Sequence, residues 1–135
     1  MDTELFTVRT GAARVTDLTG IVTGFCAGRG DGLCHVFLPH ATAGLALMEV
    51  GAGSETDLES LLDRLLPRGE RYQHRHGTPG HGADHLVPVL LSPSLVLAVR
   101  DGRALLGTWQ SLVLVDLNPD NPERRVRCTW LGAQG

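Results

Sequence analysis

The chain has 135 residues, a formal charge of −3, 42% hydrophobic and 20% charged residues. That length suits one domain with one core, the balance excludes a disordered chain, and the negative charge gives no reason to expect nucleic acid or an anionic membrane as partner. Aromatic residues make up 4% and glycines number 17, so the core must be built from Leu, Val and Ala in short strands with many tight turns.

Met1 to Thr10 carries Asp2 and Glu4 and lacks the positive-then-apolar order of a signal peptide, and nothing in the sequence is apolar for long enough to span a bilayer. Cys26, Cys34 and Cys128 are widely spaced, odd in number and free of any CxxC pattern. Reduced, buried thiols and a cytoplasmic location are expected.

Leu5 to Thr10 alternates apolar with polar residues and reads as a strand. Asp17 can cap a short helix in which Leu18, Ile21, Val22 and Phe25 recur at helical spacing, and Gly28 to Gly32 ends it as a turn. Leu33 to Leu38 and Gly44 to Glu49 read as buried strands, broken at Pro39-His40. Ser54-Glu55-Thr56-Asp57 resembles a capping box opening the clearest helix, with Leu58, Leu61, Leu62, Leu65 and Leu66 as one apolar stripe and Pro67 as its stop.

From Arg68 to Ala83 the chain turns polar and rich in His and Gly, a loop long enough to suggest function. Leu95 to Val99 reads as a strand and Asp101-Gly102 as a hairpin turn, with Ser111 to Leu117 as the expected partner region. Asn118 to Glu123 holds two prolines and reads as a surface loop, after which Arg124 to Trp130 is expected to close the sheet.

Six histidines are present, four of them between His74 and His85. Imidazole is both a metal ligand and the natural proton carrier near neutral pH. His74, His76, His81 and His85 can supply ligands, yet their spacing fits no fixed zinc signature, and a solvated loop explains them equally well. His81 and His85 share a helical face only if the segment is helical, and Gly82 with Pro88 argues against a long helix there. His40 stands where a buried strand ends, a usual place for chemistry, although a histidine bonded to backbone fits there too. Glu49 and Asp57 can orient a histidine or act as general base, with helix capping the competing reading for Asp57. Trp109 and Gln110 point to opposite faces of any strand that holds them, so Gln110 can line a cavity or simply be satisfied in the interior.

Together these strings resemble the YjbQ-like family, the secondary thiamine-phosphate synthases. The matching pieces are His40-Ala41-Thr42-Ala43, Glu49, Asp57-Leu58, Tyr72-Gln73-His74 and Asp84-His85-Leu86. Further on come Arg100-Asp101-Gly102-Arg103, Leu106-Gly107-Thr108-Trp109-Gln110 and Arg124-Arg125-Val126.

The resemblance implies an α+β fold with β-sandwich-like sheets flanked by helices, usually a homotrimer, with a histidine-lined pocket near a subunit boundary. It implies a divalent metal on His40, His74 and His85, catalytic roles for Glu49, Asp57 and Gln110, and substrate contacts from Thr42, Arg100, Thr108 and Trp109. Histidine ligation suits a zinc-like ion, while magnesium would come with a diphosphate. The family reaction couples a pyrimidine methyl diphosphate to a thiazole phosphate and releases pyrophosphate, so the expected partner is a small phosphorylated or heterocyclic molecule. A non-catalytic trimer that binds a small ligand or a metal is the alternative. Met48 and Val50 stand where relatives carry asparagine, and Val87 where they carry lysine, so pocket hydrogen bonds and a phosphate-binding charge are lost while the histidine frame is kept.

Overall fold

A computed structural model describes residues 2–69, 72–74 and 80–133. The alternating N-terminal segment forms β1 (Asp2–Arg9), followed by the three-residue β2 (Val15–Asp17) and helix α1 (Thr19–Cys26). The N-cap of α1 is Leu18 rather than Asp17, which stands one residue earlier and accepts the Thr19 backbone N–H at 2.9 Å. Next come β3 (Gly32–Phe37) and β4 (Ala43–Met48), the two strands expected around Pro39-His40. Helix α2 spans Ser54–Leu65, and two single-turn helices follow, α3 (His81–Asp84) and α4 (Val87–Leu90). The chain finishes with β5 (Ser94–Arg100), β6 (Arg103–Ala104), β7 (Ser111–Asp116) and β8 (Glu123–Gly132).

The strands make two antiparallel sheets, one ordered β1-β8-β3-β5-β6 and the other β2-β7-β4, so the fold is α+β as expected. One core lies between the sheets and under α1, built from residues such as Val22, Phe25, Val36, Leu45, Leu97, Leu112, Leu114 and Val126. On its other face β7 turns Val113 and Val115 toward a second core with Leu62, Leu66, Ala83 and Val87 from the helical side. That double burial explains why Leu112 to Leu117 reads as an unbroken apolar run with one acid in it. Gly44 allows the close approach here: a Cβ on it would stand 2.1 Å from the Leu91 carbonyl oxygen, just past α4.

Three further expectations are corrected. Asp101 (φ 50°) and Gly102 (φ 72°) do form a tight turn, but its partner strand is β6, not Ser111 to Leu117. A two-residue turn pairs the residues that flank it, Arg100 with Arg103, and the chain then crosses to the other sheet. The capping box is not formed either: Gly53 (φ 103°) is the cap residue, and the Glu55 carboxylate accepts the Gly51 N–H at 3.0 Å instead. Finally, Leu61 and Leu65 of the leucine stripe are exposed, so only part of it faces the core.

Cys26, Cys34 and Cys128 are unpaired and fully buried. Burial and the neighbouring Cys34 push the Cys26 thiol up to about 12, and a hydrogen bond with Cys128, then burial, pushes the Cys34 thiol up as well. Because all three thiols are fully buried, a thiol-disulfide reagent should titrate no cysteine in the native protein and three after denaturation. Fast modification of any one in the native state would contradict this packing. None of the described helices is long and apolar enough to cross a membrane.

Candidate metal centre

Where α2 ends, Pro67 stops the helix and its carbonyl accepts the Tyr72 hydroxyl at 2.7 Å. Tyr72 in turn lies on Gly82, where a Cβ would sit 2.7 Å from the tyrosine Cβ. Glycine at this position lets residues 72–74 pack against α3 and brings His74 beside it. Gly80 opens α3 with φ 85°, and the Ala83 N–H donates to its carbonyl at 3.0 Å. His81 and His85, four residues apart on this turn, present their rings on the same side.

The three imidazoles meet. Ring centroids lie 5.3 Å apart for His74 and His81, 4.2 Å for His74 and His85, and 4.6 Å for His81 and His85. Nε2 of His81 and Nε2 of His85 are 3.0 Å apart, and one nitrogen from each of the three rings falls within 4.8 Å of the others. Two nitrogens bound tetrahedrally to zinc at about 2.0–2.1 Å lie roughly 3.3 Å apart, close to the 3.0 Å between His81 and His85. His81 is buried, whereas His74 and His85 are half-buried.

Behind His81 stand carboxylates. Its Nδ1 is 3.6 Å from Asp84 Oδ2 and 3.9 Å from Asp120 Oδ2, which leaves Nε2 facing the other rings. Asp84 is fully buried and is gripped by both terminal nitrogens of Arg68, one of them donating to Oδ2 at 3.1 Å. That bond to Asp84 holds the Arg68 guanidinium above its ordinary range, so the cation is secure. A carboxylate behind a histidine is the usual way to fix the tautomer of a metal ligand.

His74 and His85 are thus where the resemblance puts them, in a common cluster, but the third member is His81 rather than His40. His40 lies just past β3, and its Nε2 accepts the Arg125 backbone N–H at 2.7 Å, the backbone-bonded role open to it from the start. Burial, then the Arg124 guanidinium, keeps its ring below the ordinary imidazole range. Glu49, Asp57, Arg100, Thr108, Trp109 and Gln110 are exposed, Thr42 is buried, and none of them belongs to the cluster. Gln110 closes its own turn, its Oε1 accepting the Gly107 N–H at 2.8 Å. His76 lies outside the described residues. His81 was readable in the four-residue spacing to His85, since one helical turn suffices. Asp84 and Arg68 carried no such signal.

Two antiparallel sheets with a flanking helical side that gathers three histidines define a small α+β protein with a candidate metal centre. A family model described as UPF0047 protein YjbQ-like matches residues 4–133, and the chain belongs to that family. It is 56% identical to UPF0047 protein Rv2556c of Mycobacterium tuberculosis over 131 residues, covering 97% of this chain and 98% of that one. UPF0047 protein YjbQ of Escherichia coli O157:H7 is 32% identical over 102 residues, 75% of this chain and 74% of its own. Among solved structures, hypothetical protein APE1520 of Aeropyrum pernix K1 superimposes with a TM-score of 0.88 at 33% identity, covering 98% of this chain and 100% of that one. Conserved hypothetical protein TT1486 of Thermus thermophilus gives 0.82 at 32% identity, with coverage of 95% and 99%.

Proposed function

We propose that His74, His81 and His85 hold one divalent ion of zinc type, with a coordination position left for a small phosphorylated or heterocyclic molecule. The observation that carries this reading is the convergence of three imidazole nitrogens within 4.8 Å. Neutral imidazoles suit zinc or another late transition metal, and three protein ligands with an open fourth position are the catalytic arrangement. Such an ion would polarise a ligand oxygen or offset the charge of a departing diphosphate. The chain's own part is to orient: Arg68 holds Asp84, Asp84 faces His81 Nδ1, and His81 Nε2 is left to face the site.

The reaction that the family resemblance suggests is the coupling of a pyrimidine methyl diphosphate to a thiazole phosphate. In this reading Glu49, Asp57, Arg100, Thr108, Trp109 and Gln110 act from exposed positions, available to a ligand or to a neighbouring subunit of a homotrimer. One observation favours a non-catalytic binding module instead. Val87, at the place of the family lysine, is fully buried in the second core, so no phosphate-binding cation stands there.

Elemental analysis of the purified protein and a multiple-turnover assay with those two substrates separate the readings. About one ion per chain, with pyrophosphate release abolished in His81→Ala, is the expected result for the enzyme. Saturable binding without turnover would establish the module, and absence of both metal and ligand binding would remove the proposal.

A further inference from the structure

We infer a second ligand site, independent of the histidine cluster, that takes a small oxyanion in the cleft beside His40, with Arg9, His40 and Arg125 as its donors. The cleft has a volume of about 550 Å³ and its lining includes Thr7, Arg9, His40, Asn121, Glu123 and Arg125. That size falls within the roughly 300–1,000 Å³ usual for small-molecule sites.

The strand register assembles this lining. Thr7 pairs with Arg125 and Arg9 with Glu123 across β1 and β8. Arg124 and Val126 are buried, so alternation along β8 turns Arg125 to the outer face that the odd-numbered residues of β1 share. The two guanidiniums are therefore diagonal neighbours at one end of the sheet.

His40 adds a directed donor. Its Nε2 accepts the Arg125 N–H at 2.7 Å, which places the proton of the neutral ring on Nδ1. No hydrogen bond among the described residues uses that Nδ1–H. Burial, then the nearby Arg124, pushes the ring below the ordinary imidazole range, and Arg124 itself is engaged by Asp116, so its charge is already balanced.

Against these donors stands one acid of the lining, Glu123, and it already faces Arg9 at 3.7 Å. With 88% of the Arg9 side chain and 56% of the Glu123 side chain exposed, that pair is weak and easily exchanged for a ligand. A cleft offering two guanidiniums, an imidazole N–H and a hydroxyl selects an oxyanion, phosphoryl or carboxylate.

The test is calorimetric titration of the metal-free, full-length protein with inorganic phosphate at low ionic strength, and with malonate as the carboxylate arm. Saturable binding of phosphate that weakens about tenfold or more in both Arg9→Ala and Arg125→Ala, and tightens in Glu123→Gln, is expected. Phosphate bound without malonate assigns the site to phosphoryl groups, and both bound assigns it to oxyanions at large. His81→Ala should bind like the wild type, since that residue belongs to the other site. No binding to the wild type, equal binding to both arginine variants, or loss in His81→Ala would overturn the inference. The exposed arginines carry no core packing, and thermal melting of each variant verifies that it is folded.

Discussion

Replacing Asp116 by alanine should cost about 3–5 kcal/mol of unfolding free energy in a urea titration. Asp116 ends β7 in one sheet and Arg124 is the second residue of β8 in the other, and their side chains are each 4% exposed. The carboxylate accepts the Arg124 Nε–H through Oδ2 and the Asn118 backbone N–H through Oδ1, the latter at 2.9 Å. Without it a guanidinium remains buried with no counter-charge, and desolvation of that cation is what makes the single change so expensive. The double change Asp116→Leu, Arg124→Met should regain most of the loss, because two apolar side chains of similar size need no partners. A loss under about 1 kcal/mol in Asp116→Ala would mean that water already reaches the pair.

The second large effect falls on metal binding. His81→Ala should weaken zinc binding beyond the roughly 10–100-fold that losing an outer partner costs, whereas Asp84→Asn should fall within that range. Asparagine keeps the shape but loses the charge that faces His81 Nδ1 and receives Arg68. His40→Ala should leave zinc affinity unchanged, since Nε2 of His40 is taken by the Arg125 amide. Competition against a chromophoric chelator measures all three. Equal losses in His40→Ala and His81→Ala would restore the ligand set of the family resemblance.

These two sites differ in how far the amino-acid order reveals them. Strand β1 stands out because alternation shows directly which residues face the core, whereas β3 and β5 stand out as short apolar runs. The partner of a strand is a different matter. Ser111 to Leu117 is plainly a strand, but nothing in its apolar run says that it leaves the sheet of β5 to become the centre of another. Helices α3 and α4 are single turns of four residues, too short for any periodicity to register, and Gly82 and Pro88 argue locally only against one long helix there. Tertiary contacts fix these turns instead: Tyr72 needs Gly82, and Val87 fills the second core.

The histidine cluster was half visible for the same reason. His74 and His85 follow from the family motifs, while His81 depends on one turn of helix. His40 looked suitable because polar residues at strand ends gather function, yet local backbone bonding claims its Nε2. Asp84 is the instructive miss. An acid within a polar, glycine-rich stretch reads as solvated, and only the fold shows it fully buried against Arg68, sixteen positions earlier. Burial of a charge is a property of the pair, and spacing along the chain carries no trace of it.

The most direct measurement is anomalous diffraction at the zinc edge from crystals grown with the metal. One peak about 2.0–2.1 Å from a ring nitrogen of each of His74, His81 and His85 is the expected result. Zinc bound elsewhere, with those imidazoles still clustered around no peak, would contradict a metal centre at this turn.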